Sequence, residues 1–253
     1  MSHLPTLLWH ELRVLFVSAS TYIAAILALV MMGFFYYFTI IQLVAADQES
    51  PPGELFFSTF WVPVLLVVPM LTMKSIAEER RLGTLQTLLT TSVSAGEVVL
   101  SKFLAAYIFY IVVWLAALAF PLIAAQVLSQ DGIRDLLLDP GPLLGGYAFV
   151  FLTGALFIAV GIFSSSLTRS QLVAGMLTFS ITFLLIIGVM ALQLLNLSSE
   201  AEVLAAPALS YLQIFNHFED FIRGVVDTRP VIYYLSGTAL VLGLAVLSVE
   251  ARI

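Results

Sequence analysis

Catalysis requires particular side chains at particular spacings, and this chain has few of them. Its three histidines, His3, His10 and His217, stand apart, so no His-Glu-x-x-His metal pattern is present. There is no cysteine, which removes disulfides, thiolate metal ligands and sulfur nucleophiles. The only lysines, Lys74 and Lys102, follow Met73 and Ser101. Neither completes the Gly-Lys-Ser/Thr of a phosphate-binding loop, so ATP cannot be bound by that route. No catalytic residue, cofactor site or metal site is therefore expected in this chain, and it is not expected to be an enzyme. The distinctive pattern lies in residues 74–94: Glu78-Glu79-Arg80-Arg81, then Leu82-Gly83-Thr84-Leu85-Gln86-Thr87-Leu88-Leu89-Thr90. A helical wheel groups Leu82, Leu85, Leu88 and Leu89 on one face and Arg80, Gly83, Thr84 and Thr87 on the other. The second face is small and polar, so another protein could approach its backbone closely; the alternative is a solvated loop with self-paired charges. Its chemistry is contact rather than catalysis. Ser94 and Glu97 then form a capping-box pair that predicts the start of the next helix.

The elements that must hold this segment follow from composition. The chain has 253 residues, of which 61% are hydrophobic and 10% charged, and its mean hydropathy is +1.06. A soluble domain is nearer half apolar and a quarter charged, and surface-to-volume scaling leaves too much of a folded chain exposed to hide this excess. A net charge of −6 is the wrong sign for binding nucleic acid. These numbers describe an all-α polytopic membrane protein.

Six windows lack Asp, Glu, Lys and Arg: 14–46, 55–73, 103–130, 140–168, 170–199 and 230–249. Each is long enough to cross a hydrocarbon core of about 30 Å as a helix. They predict spans near 22–44, 56–73, 104–127, 143–163, 172–194 and 231–249 in one transmembrane domain. With both termini inside, Arg13, Lys74, Arg80, Arg81, Lys102, Arg169 and Arg252 lie inside, and only Arg134, Arg223 and Arg229 lie outside. That asymmetry predicts an N-in, C-in arrangement in a bacterial cytoplasmic (inner) membrane. The first apolar run is too long for a cleaved signal peptide and is read as a span.

Residues 4–17 place Leu4, Leu8, Leu12 and Leu15 on one face and Thr6, His10 and Arg13 opposite. An amphipathic surface helix is predicted, either an anchor or an elbow that also contacts a partner. Segment 196–230 is too apolar for a plain loop. Leu212, Phe215, Phe218, Ile222 and Val225 mark one side, and Glu219, Asp220, Arg223 and Asp227 another. Short helices dipping into the outer leaflet are predicted there, shaping the mouth of a pathway or capping the bundle.

The order of these features resembles ABC exporter permeases of the type-2 class. The resemblance rests on Glu78-Glu79, Gly83-Thr84, Leu88-Leu89-Thr90 and Ser92-Val93-Ser94, with Lys102-Phe103 opening the third span and Ser165 to Gln171 between spans four and five. It extends to Asn216-His217-Phe218-Glu219-Asp220-Phe221 and Arg223-Gly224-Val225-Val226-Asp227, which look most like the gliding-motility-associated and nitrous-oxide-maturation branches. One departure stands out: the turn after Leu89 usually carries a proline, and here it reads Thr91-Ser92.

By this resemblance, residues 76–90 form a coupling helix that docks on a cytoplasmic ABC ATPase through Glu78, Glu79, Arg80, Gly83, Thr84, Thr87 and Leu88. Asn216, His217, Phe218, Asp220 and Arg223 belong to an extracellular gate region of re-entrant helices. Two ATPase copies, binding ATP and Mg, would drive a pair of permeases, either two copies of this chain or this chain and a relative. Membrane lipid and an extracytoplasmic accessory protein complete the expected partners. The implied function is export, or transmission of force across the membrane without moving substrate.

Other features fit that reading. Ion relays usually require intramembrane charges, and the six windows have none; a channel would show a ring of charges at pore depth. In the wheel Leu82, Leu85 and Leu88 anchor the lever, while Arg80, Thr84 and Thr87 face the partner. Thr39, Gln42, Thr59, Thr72, Gln126, Thr153, Thr178, Ser180, Thr182 and Gln193 are either pathway contacts or interhelical hydrogen bonds. Pro63, Pro69 and Pro121 predict kinks in spans two and three. Gly154 and Gly161, a heptad apart, predict close helix approach on span four.

Overall fold

The computed structural model describes residues 3–45, 51–90, 93–128, 131–188, 213–224 and 227–251. The turn predicted at Thr91-Ser92, polar Gln193 and residues 196–212 and 225–226 of the predicted outer segment lie outside the described residues. Among the described residues the regular structure is entirely helical, with no strand. Six helical stretches are long and apolar enough to cross a membrane: Ala19–Leu43, Trp61–Leu82, Ala95–Val127, Arg134–Leu167, Gln171–Gly188 and Thr228–Glu250.

In chain order, α1 is Leu4–Val17 and α2 Ala19–Ala45. The short α3 (Pro52–Ser58) leads into α4 (Trp61–Thr72). Next come α5 (Ala77–Leu82), α6 (Thr84–Leu89), α7 (Ala95–Ala117) and α8 (Ala119–Val127). After α9 (Asp131–Leu137), α10 spans Pro140–Leu167, and α11 (Gln171–Phe183) runs on into a π-helical turn, Leu184–Gly188. Finally, α12 is Ile214–Ile222 and α13 Thr228–Glu250.

Two prolines explain where helices divide. A proline ring clashes with the carbonyl four residues back and has no N–H to donate to it. Pro63 acts on Thr59, the residue that terminates α3 before α4 begins. Pro121 acts on Ala117, the last residue of α7 before α8 restarts at Ala119. Pro69, by contrast, is accommodated inside α4. The start of α7 is fixed by the capping box, in which the Ser94 hydroxyl accepts from the Glu97 amide and the Glu97 carboxylate accepts from the Ser94 amide.

At the centre stands α10, touching α3, α4, α7, α11, α12 and α13. Apolar burial drives little helix association inside lipid, so close packing must do it. A Cβ at Gly154 would fall within the Tyr110 ring of α7, and one at Gly161 would overlap Thr72 of α4. These two glycines let α7 and α4 close onto α10.

The bundle has two unlike ends. At one, Phe60, Phe149 and Phe218 interlock: Phe60 meets Phe149 at 5.0 Å and Phe149 meets Phe218 at 5.4 Å, both edge-on. Here α12 lies over α10 and α3. At the other end α1 runs lengthwise along α7, with the His3 amide donating to Glu97 Oε1 at 2.9 Å and Phe16 packed on Phe109 at 5.2 Å. Leu4, Leu8, Leu12 and Leu15 are half-buried, and Thr6, His10 and Arg13 are exposed. The helix also bares Trp9, Val14 and Val17, an apolar face beyond the leucine stripe.

Candidate functional site

The segment singled out by its charges sits between the end of α4 and the start of α7. One helix is predicted over 76–90; the structure holds two, α5 and α6, hinged at Gly83. Gly83 adopts φ 75°, ψ 2°, a left-handed conformation that costs side-chain-bearing residues about 1–2 kcal/mol. The break shifts the helical phase, and this changes which residues point where. Leu82, predicted to anchor the segment, is 63% exposed, whereas Leu85 is 5% exposed and seated in the core. Arg80, predicted to face a partner, points into the protein instead. A wheel drawn at 100° per residue fails across a left-handed residue, because the two helices no longer share an axis.

The inward side is fastened at three places. Ser165 Oγ, from the last turn of α10, accepts from the amides of Ile76 and Ala77, each at 3.0 Å. Those are N-terminal amides of α5 that have no partner within their own helix, so a side chain from another element caps it. The Arg80 guanidinium donates to the Ser166 carbonyl and, at 2.9 Å, to the Ser248 carbonyl. It thereby ties α5 to the ends of both α10 and α13. Glu79 accepts from Lys102 Nζ at 2.7 Å, and the same ammonium donates to Glu11 at 2.7 Å. Lys102 is 4% exposed. One buried charge therefore joins α1, α5 and α7.

The outward side is open. Arg81, Leu82, Gly83, Thr84, Gln86 and Thr87 are all exposed. Arg81 pairs loosely with half-buried Glu78 at 3.6 Å. Thr84 Oγ1 donates back to the Glu79 carbonyl at 3.3 Å, bridging the hinge. Leu88 is half-buried and packs against the core beside Leu85. Of the seven residues singled out, Gly83, Thr84 and Thr87 present themselves to solvent, Glu79 and Arg80 face inward, and Glu78 and Leu88 lie at the margin.

Sequence reasoning quoted Lys102 and Ser165 as motif residues but gave them no role in fastening the segment. Ser164, Ser165 and Ser166 are fully buried in the last turn of α10, although residues 164–171 read as a short polar loop. Three consecutive small hydroxyls are a weak signal for a helix end that receives another helix. Glu11 gave no signal distinct from a surface helix, and Ser248 none beyond its place near the end of an apolar run.

The second group, at the far end, is shaped by α12. Ile214, His217, Phe218, Phe221 and Ile222 form its buried face, at the spacings of an amphipathic helix. His217 Nδ1 hydrogen-bonds the Tyr234 hydroxyl of α13 at 3.0 Å. Burial pushes the His217 imidazole below its ordinary range, against the opposing charges of Asp220 and Asp227. Arg223 is exposed and pairs with Glu219 at 3.5 Å; Asn216 is exposed and bonds Gln213, and Asp220 is half-buried. Gly145 permits the docking, since a Cβ there would collide with the Phe221 backbone. Of the described part of this segment, α12 is a lid seated on the bundle.

Polar residues within the spans are largely self-satisfied. Thr39, Thr72, Thr153 and Thr178 each donate to the carbonyl four residues earlier in their own helix. No group of three or more His, Asp or Glu side chains that could hold a metal occurs among the described residues.

Six membrane-length helices, with a polar, externally capped hairpin fastened at one end of the bundle, define a multi-pass membrane protein. The family model described as ABC-2 family transporter protein matches residues 18–250, and the chain belongs to that family. It is accordingly a permease component of an ABC transporter, a transport subunit that works with an ABC ATPase and is not itself that ATPase. No curated protein matches the chain closely enough to be named beside it.

Proposed function

We propose that this chain is the permease of an exporter, acting in a pair above two copies of a cytoplasmic ATPase, with α5–α6 as the coupling element. A single observation carries the reading: the α5–α6 hairpin has one face bonded to α7, α10 and α13, and through Lys102 to α1, and the other face bare. Force applied at Gly83, Thr84 and Thr87 would pass through Arg80 into α10 and α13 and through Glu79 into α7 and α1. Rigid attachment at several points is what a lever needs. ATP and Mg would reside in the partner, both termini of this chain would lie on the ATPase side, and the membrane would be the bacterial cytoplasmic one. At the far end, α12, with Asn216, His217, Phe218, Asp220 and Arg223, would form the gate region. Similarity to the gliding-motility-associated and nitrous-oxide-maturation branches is part of the same proposal.

The test is a vesicle preparation holding this permease and its ATPase. Neither Thr84→Arg nor Gly83→Trp removes a side chain that bonds the other helices, and Thr84→Arg gives up only the hydrogen bond to the Glu79 carbonyl across the hinge. Each is expected to lower ATP-dependent substrate movement at least tenfold while membrane insertion is unchanged. Normal coupling in both variants would refute the assignment of this face. Tight ATP-dependent conformational change without any vectorial movement would instead identify a force-transmitting subunit.

A further inference from the structure

A groove of about 460 Å³ lies between the hairpin and the ends of α10 and α13. Three guanidiniums line it, those of Arg80, Arg81 and Arg169, and no Asp or Glu side chain does. Glu79, next to Arg80, is bonded to Lys102 instead. Glu250, next to Val249, is exposed and forms no salt bridge among the described residues. Arg81 pairs with Glu78 at 3.6 Å, so those two charges cancel. Arg80 is engaged in holding the Ser166 and Ser248 carbonyls. Arg169 differs from both. It stands in the turn between α10 and α11, is exposed, and its side chain has no hydrogen bond or ion pair among the described residues. Its positive charge therefore remains in a wall that contains no acid.

The other walls show what kind of partner fits. Buried Leu85 and Val249 supply apolar surface, and Leu82, which also lines the groove, is 63% exposed. Gly83 and Gln86 carry the groove onto the bare face of the hairpin. Arginine beside apolar surface is typical of the parts of a protein interface that hold most of the binding energy. A guanidinium meets a carboxylate through two parallel hydrogen bonds, which fix orientation as well as adding affinity. A lipid phosphate would answer the charge alone. An acidic protein surface answers the charge, the exposed leucine and the continuity with the bare face together.

We propose that this groove receives an acidic side chain of the ABC ATPase, with its carboxylate on Arg169 and apolar neighbours covering Leu82. The inference rests on the reading of α5–α6 as the ATPase-facing element and adds a second point of attachment to it. The ATPase would grip the α10–α11 turn as well as the hairpin, so that its motion reaches α10 and α11 directly.

Binding of the purified ATPase to the full-length chain in phosphatidylcholine vesicles tests it, read as Kd between about 50 and 300 mM salt, where screening of exposed charges changes most. Arg169→Glu should weaken binding at the lowest salt by roughly tenfold or more, the factor expected from losing one charge-assisted hydrogen bond. Arg169→Gln should flatten the salt dependence, and Arg169→Lys, which keeps the charge without the fork, should recover part of the affinity. Arg134→Gln, on α9 and away from the groove, should change nothing. Replacing the acidic surface residues of the ATPase by lysine, one at a time, should restore binding to Arg169→Glu at one position. Unchanged binding in Arg169→Glu, or no restoring position, would overturn the proposal. The coupling reading would survive that result provided Thr84→Arg still uncouples transport. A difference between Arg169→Glu and the unaltered chain that appears only once phosphatidylglycerol is added would identify a lipid phosphate as the occupant, and would equally overturn it.

Discussion

Lys102 illustrates how one side chain organises an end of this protein. Its ammonium lies 2.7 Å from two carboxylates on separate helices and is almost fully withdrawn from solvent. Removing one member of a buried ion cluster strands the others, at a cost of about 3–5 kcal/mol. Lys102→Met should therefore markedly lower the thermal midpoint of the detergent-solubilised protein. Adding Glu11→Gln and Glu79→Gln to that variant should recover much of the loss, because no unpaired charge then remains. His217 offers a second test. Its folded-state affinity for a proton is depressed by burial, so the cap is favoured by the neutral ring. That stabilisation is complete above the unfolded value near pH 6.5 and is lost as pH falls through it toward the lower folded value. With intrinsic exchange divided out, the protection of α12 against hydrogen exchange should fall as pH drops from 7.5 to 5. In His217→Gln, which keeps a polar partner for Tyr234 but does not titrate, the rate should be flat with pH once intrinsic exchange is divided out.

At the scale of elements, α10 and the α5–α6 hairpin carry the architecture. The face of α10 that holds Gly154 and Gly161 brings Tyr110 and Thr72 within contact distance. Gly154→Ala should destabilise the protein by about 1–3 kcal/mol through overpacking, and Tyr110→Leu in the same chain should relieve part of that cost. A thermal-melt double-mutant cycle would read the coupling; simple additivity would mean that the two positions do not meet. In the hairpin, the left-handed hinge has open space around Gly83. Gly83→Ala should cost only about 1–2 kcal/mol of local strain, far less disruptive to coupling than Gly83→Trp. The contrast separates backbone conformation from obstruction of the surface. Pro63 and Pro121 are legible as kinks, because their effect on the preceding turn is local, and the structure carries each as far as a division between helices. The break at Gly83 is not legible, because a glycine in a helical pattern is compatible with either continuation or a turn.

For the whole molecule, the proposed orientation puts the hairpin on the ATPase side and α12 on the opposite one. The absence of native cysteine makes this directly measurable. Single cysteines at Thr87 and at Arg223, both exposed, should react with a membrane-impermeant maleimide from opposite faces in intact cells and inverted vesicles. Labelling of both from one side would invert or break the topology. Counting the spans needed no structure: a charge inside hydrocarbon is so costly that every crossing segment must be written as a long uncharged run, and six such runs are present. Helical class followed for the same reason, since continuous apolar runs of this length satisfy their backbone groups internally. The tertiary structure alone decided which polar residues face inward. Glu79, Arg80, Lys102, Ser165, Ser166 and Ser248 come from four helices that meet only after the bundle closes. Their partners are separated in sequence by as many as 168 positions, and no local pattern records a bond made across that distance.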